Sequence, residues 1–274
     1  MKGLVRVLAL VVATTIVLSG CSPAAVVQPK IVCATIKPIA MIVQAIAGDA
    51  LEVRVLADEN GAPLQNAREL ASGSAVVFQS GMPIDAWLGK VVPTNVQQVT
   101  LPASTAKTSS GSPWLSLQQA ADMAGAVRDA LDAAYPGAKD KFDTQYAGFL
   151  NECSQADGAL KKMIWGAHTR AFLAEDATWS AAAADFGLRV VVEPGLKGLD
   201  LSGAEAGSLI AKWGSGEKTM VVVVNATAGE RTGVEREANG VVVCQLDASG
   251  VTAQGDFVAW LRHQLETLGS ALGG

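Results

Sequence analysis

Ile31-Val32-Cys33-Ala34-Thr35-Ile36-Lys37-Pro38 decides the fold class. Its first six residues form a continuous β-rich run without polar alternation, the pattern of a parallel strand buried on both faces. Lys37 and Pro38 then open a helix, because proline's fixed φ suits the first turn, where its missing N–H is not needed. That helix is expected to end near Gly48. A strand that leads directly into a helix is the repeating unit of a parallel α/β sheet.

The same grammar continues outward. Strands are expected over 51–56, 75–79 and 96–101, with a turn at Asp58-Glu59-Asn60-Gly61, a short helix around 67–71 and another over 84–91. Residues 105–112 are small and polar and read as a loop. Apolar residues recur at helical spacing over 117–134, Pro136-Gly137 breaks the pattern, and 139–164 forms one long helical stretch with Phe142, Tyr146, Phe149, Leu150 and Leu160 on one stripe. The second half alternates again. Strands over 170–174, 189–193, 219–224 and 241–246 precede helices over 177–186, 202–213, 228–238 and 257–272. The expected fold is α/β, with two parallel-sheet lobes, residues 30–116 and 166–274, joined by central and linking helices over 117–165.

The amino end carries a different signal. Lys2 and Arg6 precede an apolar run over 7–18, in the range of an export signal and short for a membrane span. Leu18-Ser19-Gly20-Cys21 resembles the lipobox of bacterial lipoproteins, which implies cleavage after residue 20 and a diacylglyceryl group on the thiol of Cys21, with 21–29 as a tether. An ordinary secretory signal beside an incidental cysteine is the alternative. Two acyl chains anchor firmly where one is marginal. Cleavage would remove Lys2 and Arg6 and no acids, leaving 19 basic against 26 acidic residues, net −7. No Lys/Arg run exists to follow a phosphate backbone, so nucleic acid is excluded as a partner. Cys33, Cys153 and Cys244 remain. Three thiols allow at most one internal disulfide, of which Cys153–Cys244 is one choice, and three buried reduced cysteines are the other reading.

Several segments carry a family resemblance. They are Lys30 to Pro38; Gly48-Asp49 followed by Val53-Arg54-Val55-Leu56; Leu70-Ala71 before Ala75-Val76-Val77-Phe78; Trp114-Leu115-Ser116; Phe186-Gly187-Leu188; and Leu246-Asp247. In order and spacing they resemble the solute-binding lipoproteins of zinc and manganese ABC importers. The resemblance implies two lobes around a metal held by four side chains, usually histidines and carboxylates. It also implies an extracytoplasmic, membrane-tethered location, an ABC permease and ATPase as partners, and a divalent ion, zinc or manganese, as cargo. Open α/β sheets bind ligands beyond the carboxyl ends of their strands, which is where such side chains would converge.

This sequence departs from that ligand set, because it has only two histidines, His168 and His263. The first ligand position falls on Asp58, or on Leu64 by a different anchoring; the second falls on Ser112; the third on Asp176, or Glu175 with one insertion; the fourth on Asp247. The implied metal set is therefore Asp58, Ser112, Asp176 and Asp247, oxygen donors suited to a hard ion such as manganese. Each also has a plain structural reading: Asp58 as a turn residue, Ser112 as loop, Asp176 as a helix N-cap and Asp247 as a strand-end polar residue. His168 and His263 read as structural. Trp87, Trp114 and Trp179 read as core or lobe-interface packing. No Gly-x-Ser-x-Gly elbow, phosphate-binding Gly/Lys loop or His-x-x-x-His pair occurs, so no enzymatic activity is expected. The rival reading is a surface protein of the same fold whose site is lost or altered and which binds a metal complex or a protein partner.

Overall fold

The computed structural model describes residues 29–103, 111–196, 199–201, 203–213, 219–227, 229–237 and 240–273. The expected signal, Cys21 and the tether through Gln28 lie outside the described residues, as does most of the 105–112 loop.

The amino-terminal lobe is built from β1 (Ile31–Ala34), α1 (Lys37–Ala47), β2 (Glu52–Val55), α2 (Ala67–Ser72), β3 (Val76–Gln79), α3 (Leu88–Val91) and β4 (Gln97–Thr100). Its four strands are all parallel, in the order β2-β1-β3-β4. The quoted opening stretch behaves as its residues dictate. Val32, Cys33 and Ala34 are fully buried, and Pro38 sits in the first turn of α1.

Two helices then connect the lobes, α4 (Leu117–Ala134) and α5 (Lys139–Trp165). Ser116 caps α4 by accepting the Gln119 N–H at 3.1 Å. At 27 residues, α5 spans about 40 Å, given a rise of about 1.5 Å per residue. It buries Phe142, Phe149, Cys153, Ala156, Leu160 and Ile164, a stripe of helical period facing the core.

The carboxyl-terminal lobe contains β5 (Ala171–Ala174), α6 (Ser180–Asp185), β6 (Arg189–Val192), α7 (Ala204–Trp213), β7 (Met220–Asn225), β8 (Gly233–Arg236), β9 (Val241–Leu246) and α8 (Phe257–Ala271). The strand order is β6-β5-β7-β9-β8, parallel except for β8, which pairs antiparallel with β9. The helix expected over 228–238 is therefore not formed; a strand stands there, residues 228 and 238 being outside the described set. Glycine explains the difference. Gly229 has φ +87° and Gly240 φ +88°, values costly for other residues, and Gly233 would weaken any helix by about 1 kcal/mol.

One apolar core runs through both lobes. It unites α1, α4, α5 and α8 with the inner faces of both sheets, through residues such as Ile42, Phe78, Val127, Phe149, Phe172, Phe257 and Leu265. Two smaller clusters fill the outer faces, beneath α2 and α3 in one lobe and beneath α7 in the other. Cys33, Cys153 and Cys244 are all free and buried, so the Cys153–Cys244 disulfide is not formed. Burial pushes the Cys153 and Cys244 thiols up to about 12, which keeps them protonated and unreactive. No helix among the described residues is long and apolar enough to cross a membrane.

Candidate functional site

The carboxyl ends of β1, β2, β3, β5, β7 and β9 lead into loops that contribute to one cleft. The two lobes enclose it, with a volume of about 480 Å³. Its amino-terminal wall is Ile36-Lys37-Pro38 after β1, Asp58-Glu59-Asn60-Gly61 after β2, and Ile84 after β3. Ser112 and Trp114 line it where the chain crosses toward α4. The opposite wall is Thr178 after β5, Asn225-Ala226-Thr227 at the end of β7, and Ala248-Ser249 after β9. This is the location that open parallel sheets reserve for ligands, where loops from neighbouring strands part.

Three indoles frame the cleft through hydrogen bonds. Trp114 Nε1 donates to the Ala248 carbonyl at 3.0 Å, crossing between lobes. Trp87 Nε1 donates to the Gly61 carbonyl at 2.9 Å and steadies the Asp58 turn. Trp179 Nε1 donates to Asn225 Oδ1 at 2.8 Å. That bond uses one lone pair of the Asn225 amide oxygen and fixes the orientation of the amide, whose NH₂ can donate to a ligand. Lys37 crosses between lobes as well, its Nζ donating to the Ala253 carbonyl at 3.1 Å.

The residues expected to bind metal occupy three different environments. Asp58 lines the cleft in a tight turn. Its Oδ1 accepts the N–H groups of Asn60 and Ala62, both at 2.9 Å, and the side chain is exposed. Gly61 closes this turn with φ +79°, and a Cβ there would fall 2.4 Å from Ile84. Leu64, the alternative to Asp58, does not line the cleft. Ser112 does, with its N–H donated to the Thr178 carbonyl at 3.0 Å. Asp176 is exposed and off the cleft, its Oδ1 accepting the Thr178 N–H at 2.8 Å; its neighbour Glu175 is off the cleft too.

Asp247 is fully buried, does not line the cleft, and is hydrogen-bonded within its own loop. Oδ1 accepts the Ser249 N–H at 2.9 Å and the Ser249 hydroxyl at 3.0 Å. Oδ2 accepts the Thr252 N–H at 2.8 Å, the Thr252 hydroxyl at 2.7 Å and Trp260 Nε1 at 3.2 Å. Burial alone would raise its pKa, but the Thr252 and Ser249 hydrogen bonds to the charged form prevail and hold it below the usual carboxylate range. Its lone pairs are thus committed to shaping the loop that presents Ala248 and Ser249.

The expected meeting of Asp58, Asp176 and Asp247 is therefore not seen. Among the described residues, no group of three or more His, Cys, Asp or Glu side chains could hold a metal ion together. The physical reason is local. Asp176 and Asp247 follow strand ends, as anticipated, but their carboxylates accept the N–H groups of their own loops, from Thr178 and from Ser249 and Thr252. His263, on α8, contacts Thr232 (Nε2 to Oγ1, 3.2 Å), and His168 packs near Gly273; neither lines the cleft. The polar groups that do line it and were not anticipated are Lys37, Thr178, Asn225, Thr227 and Ser249. Their common sequence signal is being among the first polar residues after an apolar strand run.

A two-lobed binding protein with parallel-sheet lobes, a long linking helix and an interlobe cleft is the class that this fold and site define. Within that class the chain belongs to the family described as zinc-uptake complex component A, periplasmic, whose model matches residues 32–271. This is a family of transport receptors, not enzymes. The chain is 30% identical over 83 residues to the zinc-binding lipoprotein AdcA of Streptococcus pneumoniae, a match covering 30% of this chain and 17% of that protein. Solved structures are similar in fold. The Zn(II)-bound ZnuA-like domain of S. pneumoniae AdcA aligns with TM-score 0.71 at 18% identity, covering 89% of this chain and 99% of that one. The laminin-binding protein Lbp of Streptococcus pyogenes gives 0.69 at 16% identity, covering 88% and 98%. The Cd-bound periplasmic metal binding protein of Candidatus Liberibacter asiaticus gives 0.68 at 15% identity, covering 88% and 99%.

Proposed function

We propose that this chain is the extracytoplasmic cargo-binding component of an ABC importer, held to the membrane by lipid on Cys21, and that its cargo is a divalent metal of zinc or manganese type. Family membership supports the transport role. The observation that carries the reading is the position of the cleft, at the carboxyl ends of both sheets with walls from both lobes. Asp58 and Glu59 supply negative charge at its mouth, and Ser112 a hydroxyl. Asp176 and Asp247 hold local structure instead. Closure around cargo is small, because one core runs continuously from α1 through α5 to α8 and leaves no hinge free of packing. The loaded form would then dock on a permease driven by an ATPase.

The second reading, a surface protein of this fold with a lost site, is favoured by one observation, the absence of a metal-ligating group among the described residues. Elemental analysis separates the two. The full chain, extracted from its own membrane without chelating agents, should carry close to one equivalent of zinc or manganese. Metal-free protein would favour the second reading. The anchor has its own check: Cys21→Ala should release the protein from the membrane fraction, and retention there would refute lipidation at Cys21.

A further inference from the structure

The cleft has the wrong chemistry for a dehydrated ion and the right chemistry for a larger one. A bare zinc ion needs three or four donors at about 2.0–2.3 Å, drawn from His, Cys and carboxylate groups. Both histidines of the sequence lie elsewhere, and the three described thiols are buried in the core. Asp247, which precedes Ala248 and Ser249 of the far wall, already accepts five hydrogen bonds. Among the described residues carboxylates line only one wall, as Asp58 and Glu59 with Lys37 on the same wall; the other offers Thr178, Asn225, Thr227 and Ser249, which are hydrogen-bonding and neutral. The volume of about 480 Å³ falls in the range of small-molecule sites, about 300–1,000 Å³, and far exceeds one ion. Apolar surface from Ile36, Pro38, Ile84 and Trp114 is also what a molecule, and not an ion, would use.

We infer that the cargo enters with a coordination shell of its own, water or a small chelator, and that the protein binds this shell by hydrogen bonds instead of supplying ligands to the metal. The inference rests on the metal-cargo reading above. Mg²⁺ loses water reluctantly and is held largely through the waters it keeps, and Mn²⁺ shares its preference for carboxylate, carbonyl and water oxygens. Asn225 suits such a role. Trp179 fixes its amide so that the donor end is free, and a donor can bond a shell oxygen but cannot ligate a cation. Asp58 and Glu59 would accept from coordinated water or balance the net charge of a cationic complex.

Cobalt makes the shell visible, since four-coordinate Co²⁺ absorbs intensely in the visible and six-coordinate Co²⁺ only weakly. The full chain in detergent, stripped of metal, is titrated with Co²⁺, with preformed Co²⁺–citrate, and with exchange-inert hexaamminecobalt(III). The expected result is binding with only weak, six-coordinate bands. If the shell is water, Co²⁺ binds and the hexaammine displaces it; if it is a chelator, Co²⁺–citrate binds and the other two do not. If the shell is water, Asp58→Asn, which keeps the turn's hydrogen bonds and removes the charge, should lower affinity for Co²⁺ and the hexaammine about tenfold; for Co²⁺–citrate, which carries a net charge of about −1, it should not lower affinity. Intense four-coordinate bands on bound Co²⁺ would overturn this inference and leave metal cargo standing. Binding of none of the three would overturn the metal-cargo reading together with it.

Discussion

Asp58 and Asp247 each stand just beyond the carboxyl end of a strand, one in each lobe, and meet opposite fates. Asp58 is exposed on the cleft wall and spends one oxygen on its own turn. Asp247 is sealed among five donors and spends both. Position relative to a strand end thus nominates a ligand but does not make one; what decides is whether the following loop folds back its own N–H and O–H groups. In β9's loop, Ser249 and Thr252 do so. In β2's loop, Asn60 and Ala62 engage only half of the carboxylate.

The most forceful test removes the buried member. Asp247→Ala should destabilise the protein by about 3–5 kcal/mol, because five donors lose a charged acceptor in a dry site. Urea unfolding at neutral pH measures it, and a loss under 1 kcal/mol would show that the loop does not depend on the carboxylate. The pH dependence has a definite sign. A carboxyl held below its unfolded value stabilises the fold above that unfolded value, and this contribution is lost as pH falls toward the folded one. The difference between wild type and Asp247→Ala should accordingly narrow on acidification.

Asp185 sharpens the contrast, being half-buried with few donors. Its Oδ1 accepts the Ser116 hydroxyl at 3.0 Å, while Oδ2 has no hydrogen-bond partner. Burial pushes its carboxyl up to about 6; the Ser116 bond opposes that shift, and the nearby Asp157 charge adds to it. A raised carboxyl stabilises most when protonated, so this contribution is complete below the unfolded value and lost as pH rises through about 6. Asp185→Asn should therefore stabilise the protein at pH 7.5 by on the order of 2 kcal/mol, since a pKa unit corresponds to about 1.4 kcal/mol. Thermal unfolding at pH 7.5 and pH 4.5 reads the effect, and an equal change at both would remove the titration from the explanation.

A smaller effect is expected at the bond joining the Asp247 loop to the rest of the cleft. Trp114→Phe keeps the ring packing and deletes the donor to Ala248, at about 1 kcal/mol for a lost hydrogen bond. Hydrogen exchange in residues 247–253 should rise in this variant. Unchanged protection there would assign the loop's rigidity to Asp247 alone.

How much of this was legible beforehand follows from the same contrast. Apolar periodicity carried the fold well. The β1–α1 junction, α4 over its whole length and the spine helix α5 each follow from spacing that packing does not override. Residues 228–238 misled because Glu230, Arg231, Glu235 and Arg236 suit a helix on propensity, while Gly229 and Gly233 and pairing with β9 favour a strand. The site was legible on one wall only. Asp58 and Ser112 are candidates through the family resemblance, which places them by segments close to them in sequence, Leu70-Ala71 and Trp114-Leu115-Ser116. Asn225 is not, because its role depends on Trp179, 46 residues away, donating to its amide oxygen. The sealing of Asp247 depends partly on Trp260 and so on how α8 docks.

The smallest stability effect belongs to the open member of the pair, and it is the most informative about function. Asp58→Asn retains an oxygen for the Asn60 and Ala62 N–H groups, so the turn, braced by Trp87 on Gly61, should persist with a change below about 0.5 kcal/mol. A residue that shapes its loop and a residue that meets a ligand differ in this respect: removal of the first is felt in folding, removal of the second in binding. If Asp58→Asn instead unfolds as readily as Asp247→Ala in urea, the two acids do the same job, and the cleft's charge has to be sought in Glu59 alone.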